Sequence, residues 1–223
     1  QYEEFEANSE VLIQNEHLSA TSILAEYTRL RQIAGAYCDR NEAGDVRPTN
    51  DSCKLPHLMQ ILEERGIIGD DPSGDEQVVI FSQFSQMVDM IHDHLLAHGA
   101  PVAKLTGHTT QPERDALQDA FQRPGGLRVL VMSTKAGGVS ITLDRASTVV
   151  IMDETWNPDN QEQAEDRCHR ASRIHQVTIY YIRTKDSLEE YVFDTTTGKS
   201  LTNEQVLDVR RRMQDKPQTS KEF

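Results

Sequence analysis

Two arginines one helical turn apart are the residues of this sequence whose spacing best suits chemistry. Arg167 and Arg170 fall in the polar stretch 160–170, which we predict to be a helix following the turn at 156–158. Residues three or four positions apart share one helical face, so the two guanidinium groups would lie side by side. A guanidinium group matches phosphate oxygens with parallel hydrogen bonds. Few acidic neighbours are available to both arginines, so the pair indicates phosphate binding more than a structural ion pair.

Alternating strands and helices from residue 78 onward would position that helix. The run 78–81 is continuously apolar, as is typical of a strand buried on both faces. Further strands are predicted at 102–105, 128–132, 148–152 and 177–182, with helices between them. Thr110 with Glu113 forms a capping box that predicts the start of one of these helices. Such alternation predicts an α/β fold, a parallel sheet flanked by helices.

Polar loops follow four of these predicted strands. In open α/β sheets, ligands bind at the carboxyl ends of the strands. The loops at those ends are the most polar and glycine-rich in this half of the chain, and they occupy 82–83, 106–109, 133–138 and 153–157. We therefore expect a functional site at this edge of the sheet.

The segments on either side of this region are predicted to be mainly helical. Residues 1–37 are predicted to be helical, 38–53 to form a loop, and 55–65 to form another helix. We predict three units: a helical lead-in segment at 1–68, a lobe with the parallel sheet at 69–185, and closing helices with a frayed tail at 186–223.

Composition limits the function without deciding it. A net charge of −13 argues mildly against nucleic-acid binding, although the segment 123–145 is locally basic. No apolar run approaches the length of a membrane span. Three widely spaced cysteines fit a reduced, intracellular protein and predict no metal site.

Two short stretches imitate nucleotide-binding motifs. The stretch 195–200 looks like a phosphate loop. Such a loop needs a glycine five residues before Gly198, but that position is occupied by Phe193. It also needs a strand in front of it, whereas a helix is predicted there. The stretch 149–154 looks like a strand ending in a magnesium-binding Asp-Glu pair, yet it precedes that loop, the reverse of the order in phosphate-loop ATPases. If the chain handles ATP, it contributes only part of the site.

Five motifs in order resemble those of the second RecA-like lobe of Swi/Snf-type superfamily-two DNA helicase or translocase ATPases. Residues 78–84 are similar to the motif that opens this lobe, and residues 105–121 to the next. The third is Ser-Thr-x-Ala-Gly-Gly, at 133–138. The last two are Asp153-x-x-Trp156-Asn157-Pro158 and Gln163-x-x-Asp166-Arg167-x-His169-Arg170. Upstream, Leu30-Arg31-Gln32 is similar to the family's Leu-Arg-Gln helix.

The resemblance implies a RecA-like helicase C-terminal lobe with helical extensions at both ends. Such a lobe belongs to an ATPase that moves along or remodels double-stranded DNA. ATP and Mg²⁺ would be bound mainly by the first lobe, so this chain alone is predicted to be inactive. Its partners would be double-stranded DNA and that first lobe, with no membrane and no second copy. It would be intracellular: cytoplasmic in a bacterium or virus, nuclear in a eukaryote.

The resemblance also implies roles for individual residues. Arg167 and Arg170 would be arginine fingers reaching the γ-phosphate, and Gln163 would help to organise the attacking water. Gly138 and Asp166 would join the two arginines in binding the nucleotide. The residues expected to contact DNA are Ser82, Gln83, His108, Thr109, Ser133, Thr134, Lys135, Gly137 and Trp156.

The sequence departs from the family pattern at two places, and two alternative functions remain open. Ala171-Ser172-Arg173 replaces the usual Ile-Gly-Gln, and Lys135 replaces a common arginine. One alternative is a non-catalytic nucleic-acid or protein binding module that retains the fold. The other is a self-contained phosphate-loop enzyme using the stretch 198–200, against which the missing glycine and the motif order argue.

Overall fold

A computed structural model describes thirteen strands and helices of this chain. The residues described are 1, 3, 10–13, 16–19, 23–40, 42, 46–69, 75–134, 141–153 and 177–190. The strands are β1 (Glu10–Ile13), β2 (Glu16–Ser19), β3 (Cys38–Arg40), β4 (Val46–Pro48), β5 (Val78–Ser82), β6 (Val102–Leu105), β7 (Val129–Ser133), β8 (Thr148–Ile151) and β9 (Thr178–Tyr181). The helices are α1 (Ile23–Gly35), α2 (Lys54–Glu64), α3 (Ser85–Ala97) and α4 (Gln111–Gln122).

The main sheet has five parallel strands in the order β6-β7-β5-β8-β9. Strand β5 is central, and all five of its residues are buried. The chain moves from β5 out to β6, returns to β7, and then crosses to β8 on the far side of β5. The carboxyl ends of β7, β5 and β8 therefore lie next to one another, at the edge where the sequence predicts a site.

Alternate residues of the buried strands form two separate cores, one on each face of the sheet. Val78 and Ile80 pack on one face with buried side chains of α2 and α3. Val79 and Phe81 pack on the other face with Phe121 of α4. Each fully buried apolar side chain of this size contributes about 1.5–3 kcal/mol, so the sheet is held from both sides. The predicted α/β fold with helices on both faces is confirmed.

The segment before the main sheet is less helical than the sequence predicts. Helix α1 lies within the predicted helical stretch, but β1 and β2 precede it as an antiparallel pair. The predicted loop at 38–53 contains a second antiparallel pair, β3 and β4. These strands are three or four residues long, and cross-strand pairing outweighs their weak local preference. The predicted helix at 160–170 and all but residues 186–190 of the predicted closing helices at 186–223 lie outside the described residues.

Within the described ranges, none of the helices is both long enough and apolar enough to cross a membrane.

Candidate functional site

Asp153 lies at the centre of the polar groups at the carboxyl end of the sheet. It follows β8, and its side chain is only 3% exposed. One carboxylate oxygen accepts a hydrogen bond from the Ser82 hydroxyl at 2.5 Å. The other accepts one from the backbone N–H of Gln83 at 2.7 Å. A buried carboxylate is tolerated when its oxygens are satisfied in this way, and the loop that begins at Asp153 is thereby fixed to the end of β5.

Backbone hydrogen bonds join the same point to both neighbouring strands. The N–H of Thr134, just after β7, donates to the carbonyl of Ser82 at 2.9 Å. The N–H of Met152, just after β8, donates to the carbonyl of Phe81 at 2.9 Å. Thr134 and Asp153 therefore lie beside the carboxyl end of β5, one on each side of it.

Ser82 is placed differently from its expected role as a DNA contact. Its side chain has no exposed surface, and its hydroxyl donates to Asp153 and accepts from the N–H of Phe84 at 3.2 Å. A hydroxyl buried in this way cannot face a phosphate in solution, so Ser82 supports Asp153 instead. Ser133 is also buried, at 6% exposed, whereas Thr134 is half-buried.

Gln83 connects this point to helix α1. Its side-chain oxygen accepts a hydrogen bond from Arg31 at 3.1 Å, and Gln83 itself is half-buried. The Arg31 guanidinium also lies 5.7 Å from the centre of the Phe84 ring, within the range of a cation–π contact. The predicted Leu-Arg-Gln helix therefore packs directly against the opening motif of the lobe.

The turn after β6 is held by its own hydrogen bonds. The Thr109 hydroxyl accepts from the N–H of Thr106 at 3.0 Å, and the Thr106 hydroxyl accepts from the N–H of His108 at 3.3 Å. Arg114 donates to the carbonyl of Thr109 at 2.8 Å. These bonds leave His108 exposed and Thr109 half-exposed to solvent on a fixed backbone. Both residues remain accessible, as their predicted role in DNA binding requires.

The predicted capping box at the start of α4 is confirmed. Glu113 accepts hydrogen bonds from the backbone N–H of Thr110 at 2.8 Å and from its hydroxyl at 2.7 Å. These hydrogen bonds lower the pKa of Glu113, since they favour the charged carboxylate. The box closes the turn that carries His108 and Thr109.

The remaining predicted site residues lie outside the described part of the chain. They are Lys135, Gly137, Gly138, Trp156, Gln163, Asp166, Arg167 and Arg170. Their assigned roles stay predictions. The structure describes Thr134 and Asp153, which precede these residues in the chain. Among the described residues, no three His, Cys, Asp or Glu side chains cluster in a way that would hold a metal ion.

Two residues of this site were visible in the sequence only as motif positions. Asp153 is the first residue of one motif and belongs to the Asp-Glu pair rejected above as a magnesium site, and Arg31 is the middle residue of another motif. The sequence predicts no role for either side chain. A carboxylate directly after a buried strand is the signal that could have identified Asp153, because a buried carboxylate must find donors at the strand ends. The partner of Arg31 is 52 positions away along the chain, and no local pattern indicates it.

Comparison with known proteins places these features in a family. A family model described as the helicase conserved C-terminal domain matches residues 53–172. The chain is 34% identical over 146 residues to the "ISWI chromatin-remodeling complex ATPase CHR11" of Arabidopsis thaliana, covering 65% of this chain and 13% of that protein. It is 38% identical over 128 residues to "Chromodomain-helicase-DNA-binding protein 7" of Gallus gallus, covering 57% of this chain and 4% of that protein.

One solved structure extends the similarity to the fold. The "C-terminal part of Fun30 ATPase domain" matches with a TM-score of 0.62 and 31% identity, over 74% of this chain and 54% of that one. The five-stranded parallel sheet is therefore RecA-like. The chain spans only a small part of the two curated relatives, 13% and 4% of their lengths.

Proposed function

Because the chain belongs to the helicase conserved C-terminal domain family, in its Swi/Snf-type branch, we propose that it is the second lobe of an ATP-driven translocase on double-stranded DNA. One observation carries the proposal: Asp153 ties together the strand ends from which the loops with the expected phosphate and DNA contacts depart. Relatives named as chromatin-remodelling ATPases support the reaction class.

In this proposal, the ATP-hydrolysing site is shared between two lobes. The first lobe would bind ATP with its Mg²⁺, and this chain would add Arg167 and Arg170 against the γ-phosphate. Guanidinium groups there stabilise the negative charge spread over the transferring phosphoryl group. Gln163 would orient the attacking water, while Gly138 and Asp166 would line the nucleotide. Asp153 supports these residues because it fixes the beginning of the loop that leads to them.

The DNA contacts in this proposal are made to phosphates and carry no sequence information. His108 and Thr109 are exposed or half-exposed on a hydrogen-bonded turn, and Gln83 and Thr134 lie at neighbouring strand ends. Lys135, Gly137 and Trp156 would add contacts from the adjoining loops. Ser82 and Ser133 are buried and would support these loops from within the fold without contacting DNA directly. Since the chain carries a net charge of −13, binding would depend on this local surface and weaken with salt.

We also assign a location and an assembly state. Both curated relatives described above are eukaryotic, one from a plant and one from an animal, and one is named as part of a chromatin-remodelling complex. By this likeness the protein would act in the nucleus. It would work as one polypeptide, with the second lobe closing on the first lobe of the same molecule.

The proposal is tested by comparing the 223-residue chain with the two-lobe protein, in which this chain is joined to a first lobe. Both are assayed for ATP hydrolysis with and without duplex DNA, and folding of the isolated chain is checked by its cooperative unfolding. The expected result is DNA-stimulated hydrolysis by the two-lobe protein and none by the chain alone. DNA-stimulated hydrolysis by the isolated chain would overturn the division of the site.

A further inference from the structure

A buried lysine at the start of helix α2 occupies a position where a positive charge is unfavourable. Lys54 is the first residue of α2 and is only 1% exposed. The amino terminus of a helix carries partial positive charge, so a cation there is repelled. The first turn of α2 contains no acidic residue to offset that repulsion. The ammonium group must therefore be compensated by partners from elsewhere in the chain.

Two partners from distant segments hold this ammonium group. Lys54 donates to a carboxylate oxygen of Glu189 at 2.6 Å and to the backbone carbonyl of Met152 at 2.5 Å. Glu189 is itself 2% exposed, and its other oxygen accepts from the N–H of Thr184 at 2.9 Å. Buried ion pairs of this kind are often no more stabilising than an apolar pair of similar volume. Stability alone therefore does not account for the arrangement.

The carbonyl that Lys54 holds belongs to the peptide immediately before Asp153. Lys54 therefore fixes this peptide on one side, while the Asp153 carboxylate fixes it to Ser82 and Gln83 on the other. The same surroundings include the end of α1, because the Thr184 hydroxyl donates to the carbonyl of Ala34 at 2.7 Å. The ion pair thus lies where α1, α2, the end of β8 and the segment after β9 meet.

We propose that Lys54 and Glu189 are positioning residues that hold the Met152–Asp153 peptide, and with it the loop leading towards Arg167 and Arg170. This inference rests on the proposed function for its effect on turnover, but the structural part stands independently. The segment after β9 is coupled through Glu189 to the beginning of that loop. Loss of the pair releases the Met152 carbonyl and loosens the Asp153 contacts.

The structural part is tested with the double variant Lys54→Met/Glu189→Leu in the 223-residue chain. Apolar residues of similar volume keep the core filled, so the urea midpoint should stay close to that of the wild type. Hydrogen exchange of the Gln83 amide, which donates to Asp153, should become about tenfold faster, as expected for weakening one charge-assisted contact. Exchange at the wild-type rate would overturn the positioning role.

A half-exposed ion pair between strand β6 and helix α3 supplies a matched control. Lys104 and Asp89 are joined at the same 2.6 Å but are 37% and 40% exposed. The variant Lys104→Met/Asp89→Leu should leave Gln83 exchange unchanged.

A single substitution is available if the double variant of the buried pair does not fold. Glu189→Gln keeps the side-chain volume and an acceptor oxygen, and it should still accelerate hydrogen exchange of the Gln83 amide measurably. Unchanged exchange in this variant would contradict the proposal.

The functional part is read from the two-lobe protein. Lys54→Met/Glu189→Leu should lower kcat for DNA-stimulated ATP hydrolysis about tenfold while KM for ATP changes less than about twofold, because the first lobe binds the nucleotide. Unchanged kcat would show that the loop does not depend on the pair. Absence of hydrolysis in the wild-type two-lobe protein would instead overturn the proposed function, and Gln83 exchange would still test the positioning role.

Discussion

The two ends of strand β5 carry buried polar residues that are used in different ways. At the amino end, Gln77 is 2% exposed, and its amide donates to the backbone carbonyls of Phe121 at 2.5 Å and Leu127 at 2.7 Å. At the carboxyl end, Ser82 donates to the Asp153 carboxylate. Gln77 stabilises the connection between α4 and β7, whereas Ser82 and Asp153 join the carboxyl ends of β5 and β8.

Other contacts at the amino end follow the same pattern as Gln77. Arg128 donates to the carbonyl of Gly66 at 3.0 Å, and Arg145 donates to the side-chain oxygen of Gln77 at 3.1 Å. The Ser147 hydroxyl donates to the Glu76 carboxylate. These bonds join segments that are 62 to 71 positions apart in the chain, and all of their partners lie within the fold. We therefore expect substitutions at the amino end to lower stability alone, and substitutions at the carboxyl end to lower turnover per folded molecule as well.

Among substitutions at the two ends of β5, Asp153→Ala is expected to have the largest effect on turnover. It removes the acceptor for Ser82 and Gln83, which should lower the free energy of unfolding by about 2 kcal/mol. Misplacing the following loop should also lower turnover of the two-lobe protein about 100-fold. Urea unfolding and kcat per folded molecule measure the two effects separately. Asp153→Asn keeps an acceptor oxygen and should lose less stability and less turnover. Full turnover in Asp153→Ala would contradict the proposed difference between the two ends of β5.

Gly126→Ala should be the most destabilising single change at the amino end. A Cβ at Gly126 would lie 2.2 Å from the carbonyl oxygen of Ala120, a backbone atom that cannot move aside cheaply. We expect a loss of about 3 kcal/mol in the free energy of unfolding, measured with urea. Gly107→Ala is the control at the carboxyl end, where no atom lies within 4 Å of the added Cβ. Equal stability losses in both variants would contradict this prediction.

Gln77→Ala should show that an amino-end network acts through stability. It leaves the buried carbonyls of Phe121 and Leu127 without this donor, which should cost about 2 kcal/mol. The midpoint of urea unfolding should fall, while kcat of the two-lobe protein, corrected for the folded fraction, should not change. A lower kcat per folded molecule would mean that the two ends of β5 are coupled.

The smallest effect is expected at the exposed capping box. The pKa of Glu113 is lowered in the folded state, so its contribution to stability is present above the unfolded value of 4.5 and is lost as the pH falls through the lower, folded value. Glu113→Gln should therefore reduce the steepness of acid destabilisation slightly. Thermal unfolding between pH 3 and pH 7, at about half-unit steps, measures this. An identical pH dependence of stability in the wild type and in Glu113→Gln would contradict a stabilising role for the capping box.

The sequence predicts the central sheet well because its strands are buried on both faces. The runs at β5 and β7 are continuously apolar, and nothing local competes with that pattern. The capping box is equally local, since Thr110 and Glu113 are three residues apart. By contrast, the order of the strands depends on contacts between distant segments, and the sequence predicts a parallel sheet without its strand order.

The polar contacts of the site could not be predicted from local sequence. Lys54 and Glu189 are separated by 135 positions and both look like solvated surface residues. Ser82 looks like an exposed phosphate contact until the position of Asp153 is known. The short strands β1 and β2 contain charged residues and depend on each other for pairing. Each of these features is set by tertiary contacts, which outweigh local preference.

The central claim is that this lobe supplies arginines to an ATP site held by another lobe. Arg170→Ala in the two-lobe protein tests it most directly, with Arg123→Ala, an exposed arginine at the amino end of the sheet, as the matched control. We predict a loss of about 10³-fold or more in DNA-stimulated turnover for Arg170→Ala, with ATP binding near normal, and no change for Arg123→Ala. Turnover that survives Arg170→Ala would contradict the account.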